Sequence, residues 1–301
     1  AACHRAAEAA GVEVVTSAPV ARIDVAGGAV RGVTLADGRE IRTPLVVSTV
    51  HPKRAFLEMV DRDELPDDFV AAIERFKCRG GGVKINLALG ELPRFAAAPS
   101  SRVEEHHTGS IELAVSPAYV QAAFDDAVAG RPAERPVADG TIPSTLDETL
   151  MPAGMHCLSL FTQWVPDEWV AEPHRDELEA YADRVVDAYA ELAPNLKGAI
   201  LARQVIGPHD LEQELGLIGG NVYGGELSVD QLFHMRPAPG YADYRTPIAG
   251  LYNGSAGAHG GGGVSGIPGW QAYRRAMKDR AAAVRRARLR RAVGRLATTR
   301  G

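Results

Sequence analysis

A glycine-rich stretch between residues 250 and 270 constrains this chain more than any other part of its sequence. Nine of the 32 glycines lie in it, and it runs from the apolar pair Leu251-Tyr252 to Pro268 and the helix-forming residues 271–277. Glycines at this density let the backbone adopt left-handed conformations and approach another group closely. The pattern predicts a strand, a glycine turn and the start of a helix; the alternative is a flexible surface loop.

A turn of this kind would act through its backbone. Successive N–H groups, together with the positive end of a helix dipole, form a site for a phosphate or another anion. We expect Gly262 and Gly263 to have backbone dihedrals that a Cβ would oppose. Solvent loops of this composition seldom lie between an apolar strand and a long helix, which favours the binding interpretation.

The same residues resemble the C-terminal flavin-binding signature of phytoene desaturase-related oxidoreductases. The resemblance is carried by Leu251-Tyr252, by Gly257-Ala258-His259 and by the run from Gly261 to Gly269, and the stretch 219–239 extends it. Within the amine oxidase superfamily, these motifs are similar to those of the pyridine nucleotide-disulphide oxidoreductase domain-containing protein 2 family. That family has Thr and Pro where this chain has Ala258 and Gly260, a difference that backbone contacts tolerate.

The resemblance implies an α/β fold with an FAD/NAD(P)-binding, Rossmann-like domain into which a mixed α+β substrate domain is inserted. Residues 1–54 and 246–280 would belong to the FAD-binding domain, residues 55–245 to the substrate domain, and residues 281–301 to a basic helical tail. The FAD-binding domain would be incomplete, because the single GxGxxG string, at residues 261–266, has no acidic residue about 20 positions further on, where dinucleotide-binding folds carry one. We therefore expect a C-terminal fragment that binds FAD weakly or not at all by itself.

The function implied by the resemblance is that of an FAD-dependent oxidoreductase, a dehydrogenase or desaturase acting on an apolar small molecule. The alternatives are a redox-inactive binding or regulatory protein that keeps the fold, and an inactive truncated product. The cofactor-binding residues that the resemblance implies are Val20, Ser48, Gly257, His259, Gly261, Gly262, Gly263, Val264, Gly266 and Pro268. Val20 is equally well explained as an ordinary strand residue, and His259 as a residue that orients the loop.

Lys84 is the candidate catalytic residue. It lies in the run 82–89, where apolar residues alternate with Lys84 and Asn86, a pattern typical of a strand with two distinct faces. Amine oxidases carry a lysine on a comparable strand, where it holds a water at the reactive nitrogen of the flavin, and the resemblance implies this role for Lys84. The alternative is a lysine that faces solvent on a half-exposed strand.

Composition limits the other function classes. The three cysteines lack CxxC spacing and the histidines lack an HExxH pattern, so no metal site is indicated and a reducing, cytoplasmic setting fits best. Neither GxxxxGK[ST] nor GxSxG occurs, which argues against nucleoside triphosphate hydrolysis and against a hydrolase with a nucleophilic serine. No apolar run reaches the length of a membrane-spanning helix.

Positive charge is concentrated at the C-terminal end. Residues 274–301 contain eleven Lys or Arg and a single Asp, whereas the whole chain has a net charge of −5. A basic tail on an acidic body is not typical of a dedicated nucleic-acid binder, so we expect no nucleic-acid partner. Apolar residues at helical spacing allow the tail to rest on an anionic membrane surface; the alternative is a solvated extension. The sequence does not indicate an oligomeric state.

Turn residues and alternation predict the other elements. A helix over residues 1–10 and a strand over residues 12–16 open the chain. Gly27-Gly28 and Asp37-Gly38 predict hairpins, and the run Leu45-Val46-Val47 predicts a buried parallel strand. Further helices are predicted from about Pro66, over residues 116–129 and over residues 175–192.

Overall fold

The computed structural model describes residues 2–298, with side chains as far as residue 288. In chain order its helices and strands are α1 (Ala2–Ala9), β1 (Val20–Ala26), β2 (Ala29–Leu35), β3 (Glu40–Arg42), β4 (Val46–Ser48), α2 (Pro52–Leu57), α3 (Asp67–Arg75), β5 (Gly82–Leu89), α4 (Glu105–Thr108), β6 (Ile111–Leu113), α5 (Pro117–Val128), β7 (Val137–Thr141), β8 (His156–Gln163), α6 (Arg175–Leu192), α7 (Leu196–Ala199), β9 (Ile200–Ile206), α8 (Pro208–Leu215), β10 (Leu251–Asn253) and α9 (Ile267–Thr298). The chain divides into two compact units: one comprises the residues up to Lys77 and from Leu227 onward, and the other comprises Cys78–Glu226.

The first unit contains an antiparallel sheet in the order β1-β2-β3. Gly27 and Gly28 connect β1 to β2 with φ values of 60° and 70°, conformations that suit a tight hairpin and that most other residues avoid. Gly38, with a φ of 87°, lies in the connection from β2 to β3. Both predicted hairpins are therefore confirmed.

A second, parallel pair of strands lies in the same unit. β4 pairs with β10, with Val46 opposite Leu251 and Ser48 opposite Asn253. All three residues of β10 are buried. The predicted parallel strand after Pro44 is confirmed, but its predicted burial is not, since Val46 is half-buried and Val47 is exposed. Its partner comes from the segment directly before the glycine turn.

The boundary between the units differs from the one that the sequence predicted. Phe56 of α2 and Phe69 and Ile73 of α3 share a buried core with Ile23 and Val30 of the β1-β2 hairpin. The amphipathic helices α2 and α3 bury their apolar sides against this hairpin, so residues 55–77 belong to the first unit. Residues 227–245 join it for the same reason, since Ala238 and Tyr241 pack against that core.

The second unit is built on an antiparallel sheet in the order β6-β7-β8-β5-β9. Val83, Ile85, Leu87 and Leu89 of β5 are all fully buried on one face of this sheet. They share a core with Leu178, Tyr181, Val185 and Tyr189 of α6. The helix thus covers one face of the sheet, and the intervening residues of β5 lie on the other.

The predicted strand over residues 12–16 is wrong. These residues form no regular element, and Val12, Val14 and Val15 are 40–55% exposed. A strand needs a paired neighbour to satisfy its backbone groups, and within the described residues this segment has none. The preceding helix is confirmed as α1.

The long helix α9 begins directly after the glycine turn. Its first turns pack on β10, since Ala272 and Ala276 are fully buried against Tyr252. Over its length, α9 hardly separates apolar from polar residues on opposite sides. Within residues 2–298, no helix combines the length and the apolarity needed to cross a bilayer.

Candidate functional site

The candidate site is the turn of residues 254–266, which connects β10 to α9. Because β4 and β10 are parallel, their carboxyl ends lie at the same edge of the pair, the edge at which open α/β sheets bind ligands. The N–H of Gly254 donates to the carbonyl of Ser48 over 2.8 Å. The turn therefore begins beside Ser48.

Local hydrogen bonds fix the first residues of the turn. Asn253 Oδ1 accepts from the N–H of Ser255 over 3.1 Å and from its hydroxyl over 2.7 Å. Ser255 Oγ in turn accepts from the N–H of Gly257 over 3.2 Å. This succession of side-chain caps turns the chain sharply out of β10.

Two further side chains bind carbonyls of the turn. Arg236, which is 1% exposed, donates from Nε to the carbonyl of Ala258 over 3.2 Å and from Nη2 to that of Ala256 over 3.1 Å. The hydroxyl of Tyr244 donates to the carbonyl of His259 over 3.2 Å. The sequence did not single out Arg236, Tyr244 or Asn253. The only available signal was that the Arg236-Pro237 segment lies in the second stretch of family resemblance.

Several donors at the turn have no acceptor among residues 2–298. They include the backbone N–H groups of residues 259, 260 and 262–266. Two buried side-chain atoms are also unpartnered in this part of the chain, Ser48 Oγ and Asn253 Nδ2. Buried polar atoms normally have a hydrogen-bond partner. A ligand with negatively charged or carbonyl oxygens would satisfy this set, so the residues present fit the polar part of a flavin nucleotide.

The start of α9 adds to the electrostatics of the turn. Ser265 Oγ accepts from the N–H of Ile267 over 3.2 Å, and Pro268 occupies the second position of the helix. The positive end of the α9 dipole therefore lies directly after the glycines. Both features favour an anion at this position.

Backbone conformation in the turn agrees only in part with expectation. Gly261, Gly263 and Gly266 have φ values of 62°, 102° and 69°, in the region that favours glycine. Gly262 does not have a positive φ, so the expectation that its dihedrals oppose a Cβ is wrong. Val264 does have a left-handed conformation, with a φ of 55°, and its side chain is fully exposed.

A depression of about 720 Å³ in the first unit is lined by residues 43–45, by the segment 245–252 and by α9. None of residues 254–266 lines it. The donors of the turn, and not this depression, form the candidate site.

The predicted residues of the first unit fall into two groups. Ser48, Gly257, His259, Gly261 to Gly266 and Pro268 lie along β4, the turn and the first residues of α9. Val20 is the first residue of β1, in the other sheet, and is 38% exposed. Among the described residues, no hydrogen bond connects Val20 to the turn. Its role in binding adenine stays a prediction.

Lys84 lies in the second unit, on an interior strand. It is paired with Phe161 of β8 and Ile206 of β9, and its side chain is half-buried on the face opposite α6. Burial lowers the pKa of its amine, while Asp139 and Cys157 act in the opposite direction. No hydrogen bond or ion pair of Lys84 occurs among the described residues, so the amine is available to a ligand or a water.

Polar neighbours surround Lys84 on the same face. Ser159 donates to Asn86 Oδ1 over 2.9 Å, and Asn86 Nδ2 donates to Gln204 Oε1 over 3.1 Å. These three side chains satisfy one another, and Asp139 of β7, opposite Phe161, is a carboxylate on the same face as Lys84. A lysine on a largely solvated strand was the alternative interpretation, and the lowered pKa argues against full solvation.

Comparison with known proteins agrees with these features. Residues 2–123 match the family of flavin containing amine oxidoreductases. The chain is 40% identical over 280 residues to pyridine nucleotide-disulfide oxidoreductase domain-containing protein 2 of Rattus norvegicus, covering 91% of this chain and 48% of that protein. It is 25% identical over 269 residues to a lycopene-forming phytoene desaturase of Paracoccus, covering 87% of this chain and 49% of that enzyme.

Solved structures show the same fold. An oxidoreductase from Methanosarcina mazei superimposes with a TM-score of 0.56 at 19% identity, covering 88% of this chain and 50% of that one. The α/β flavoprotein-like fold that the sequence predicted is thereby confirmed. The chain spans about half the length of the curated relatives it matches. The chain is similar over most of its length to pyridine nucleotide-disulfide oxidoreductase domain-containing protein 2, and its residues 2–123 match the flavin containing amine oxidoreductases.

Proposed function

We propose that this chain is the C-terminal portion of an FAD-dependent oxidoreductase and that the turn of residues 254–266 binds part of the FAD. The observation that carries the proposal is the pair of buried, unpartnered atoms Ser48 Oγ and Asn253 Nδ2 at the ends of adjacent parallel strands. They lie beside a row of backbone donors that also lack acceptors among the described residues. Similarity to the flavin containing amine oxidoreductases supports FAD as the ligand.

Binding would come from the backbone and from a few buried polar side chains. Each hydrogen bond to a charged oxygen contributes about 1.5–3 kcal/mol, and removing several changes affinity by orders of magnitude. The single GxGxxG string of the sequence lies in this turn, at residues 261–266, and no acidic residue follows about 20 positions later, as one does after the turn that cradles the pyrophosphate in dinucleotide-binding folds. We therefore expect this chain alone to bind FAD far more weakly than a form that includes such a turn.

FAD, when bound, supplies a two-electron acceptor for a hydride. On the protein side, the face of the second unit around Lys84 would contact the substrate. Phe161 and Ile206 flank Lys84 in register and offer apolar surface, which suits a small apolar substrate. Lys84 would hold a water or a proton at Nζ, and burial lowers the pKa of its amine.

A redox-inactive binding or regulatory protein with the same fold is the second candidate. Val264 gives it some support, because a fully exposed valine with a φ of 55° interrupts the glycine run at the site. An ordinary anion, such as an inorganic phosphate, would satisfy the same donors. The two candidates differ in whether flavin is retained.

The deciding experiment compares this chain with the protein encoded by the complete reading frame that contains it. Both are purified under native conditions, and bound flavin is measured by visible absorbance and by chromatography after denaturation. We expect FAD in the longer protein and little or none in the chain alone. A folded longer protein without flavin would contradict the proposal and favour the binding protein, whereas stoichiometric FAD in the chain alone would contradict its dependence on a second phosphate-binding turn.

A further inference from the structure

We propose that Arg236 and Tyr244 are positioning residues that hold the turn so that the N–H groups of His259 and Gly260 form a paired donor site for the cofactor. This inference rests on the proposed function, since it assigns the residues that shape the same site. It starts from the three carbonyls that these side chains bind. Arg236 binds those of Ala256 and Ala258, and Tyr244 binds that of His259.

A hydrogen bond to a carbonyl also fixes the direction of the N–H group in the same peptide unit. In a trans peptide unit, the C=O of one residue and the N–H of the next lie in one plane and point in opposite directions. The units from Ala256 to Gly260 are all trans, because the cis bonds of the described chain lie elsewhere. Each carbonyl that is held therefore fixes the direction of the following N–H.

The three oriented N–H groups differ in whether they have an acceptor. That of Gly257 donates to Ser255 Oγ over 3.2 Å and closes the turn internally. Those of His259 and Gly260 have no acceptor within residues 2–298. Each points away from the side chain that binds the preceding carbonyl. Arg236 and Tyr244 therefore orient two adjacent donors that have no acceptor in the described chain.

Burial and further contacts restrain Arg236 and Tyr244. Arg236 is 1% exposed, and its guanidinium carbon lies 5.3 Å from the ring centre of Phe76. The carbonyl of Tyr244 accepts from the N–H of Asn253 over 2.8 Å, which ties the tyrosine to β10. A guanidinium is a costly group to bury for packing alone. Its placement on two carbonyls of the glycine turn is better explained by control of the turn.

An independent observation points to a ligand at the same place. Asn253 is 2% exposed, and its Oδ1 is used by Ser255, which fixes the orientation of the amide group. Its Nδ2 then remains as a buried donor without a partner among the described residues. A phosphate or carbonyl oxygen of FAD would satisfy this donor, as it would the N–H groups of His259 and Gly260.

The test uses the complete flavoprotein and matched variants. Tyr244→Phe removes one hydroxyl, and Tyr119→Phe is its control, because the Tyr119 hydroxyl also donates to a backbone carbonyl, that of Pro136, over 2.8 Å, in the other unit. Arg236→Lys and Arg236→Met form a second pair that retains or removes the charge. The readouts are the FAD dissociation constant, the position of the visible flavin bands and the melting temperature of the flavin-free protein.

We expect Tyr244→Phe to weaken FAD binding about 3- to 10-fold and to shift the flavin bands, with melting close to that of Tyr119→Phe. Arg236→Lys should keep part of the affinity that Arg236→Met loses. Wild-type affinity and spectrum in Tyr244→Phe would overturn the inference, as would an equal loss in Tyr119→Phe. Absence of FAD from the wild-type protein would instead refute the proposed function itself.

Discussion

Ser48 and Asn253 lie directly opposite each other in the parallel pair of β4 and β10, and each buries a polar side-chain atom without a partner in the described chain. An unsatisfied buried polar group destabilises the fold by about 1–3 kcal/mol. Two such groups side by side are unexpected unless a ligand completes them. This gives a prediction in which stability and binding change in opposite directions.

Ser48→Ala should stabilise the flavin-free chain by about 1 kcal/mol, because it removes a desolvated hydroxyl that has no acceptor. In the complete protein, the same substitution should weaken FAD binding. Urea denaturation and FAD titration measure the two effects. Ser255→Ala is the matched control, since its hydroxyl donates to Asn253 Oδ1 and its loss should destabilise the chain. Destabilisation by Ser48→Ala would show that the hydroxyl is already satisfied.

Gly262 and Gly263 should respond differently to the same substitution. Gly263 has a φ of 102° and nothing within 4 Å of an added Cβ, so Gly263→Ala meets backbone strain and no steric clash. We expect a loss of about 1–2 kcal/mol of stability or a rearranged turn, with weaker FAD retention in the complete protein. Gly262→Ala should be milder, since Gly262 lacks a positive φ. Equal effects at both positions would contradict this conformation of the turn.

Local patterns in the sequence predict much of the fold. The hairpins follow from Gly27-Gly28 and Asp37-Gly38, and the strand, turn and helix order follows from residues 250–277. The residues that shape the turn were not predictable in this way. Arg236 lies about 20 positions before the carbonyls that it binds, and nothing in its own neighbourhood indicates that contact. The predicted strand over residues 12–16 was wrong for a related reason. β-branched residues indicate a strand only where a partner strand is present.

Lys84→Met should raise the stability of the chain at neutral pH. Burial lowers the pKa of the Lys84 amine below its ordinary value of 10.5, so the unfolded chain binds this proton more strongly than the folded one. The resulting penalty is complete below the folded pKa and disappears as the pH rises to 10.5. The gain from Lys84→Met should therefore shrink at alkaline pH.

The control for this substitution is Lys53→Met, because Lys53 is also half-buried but its Nζ donates to the carbonyl of Glu74 over 2.9 Å. In the complete protein, Lys84→Met should slow flavin reduction or reoxidation without release of FAD. Rapid-mixing kinetics with both half-reactions at wild-type speed would make Lys84 a structural residue.

His107 should make the chain sensitive to acid. Its ring is fully buried, with Nε2 facing the carbonyl of Pro93 over 3.1 Å and Nδ1 accepting from the N–H of Glu104 over 3.1 Å, so the neutral ring is satisfied. Burial lowers its pKa from the ordinary value of 6.5. The unfolded chain then binds more protons below pH 6.5, and stability falls as the pH falls through that value. Denaturation at pH 8 and pH 5 should show a smaller loss in His107→Gln; an equal loss would contradict the assignment.

The basic tail should bind membranes through charge alone. In the described part of α9, the buried residues Ala272 and Ala276 are used against β10, and the helix has no continuous apolar side to insert into lipid. Arg285, Arg286 and Arg288 remain as exposed cations; the predicted charges from residue 289 onward lie outside the described side chains.

We expect the chain to sediment with anionic but not with neutral vesicles at low salt, and to be released at physiological ionic strength, because attraction between exposed charges is screened. Gln at all three positions should reduce sedimentation. Binding that persists in high salt would indicate an inserted apolar surface. No binding at low salt would contradict the proposed membrane contact.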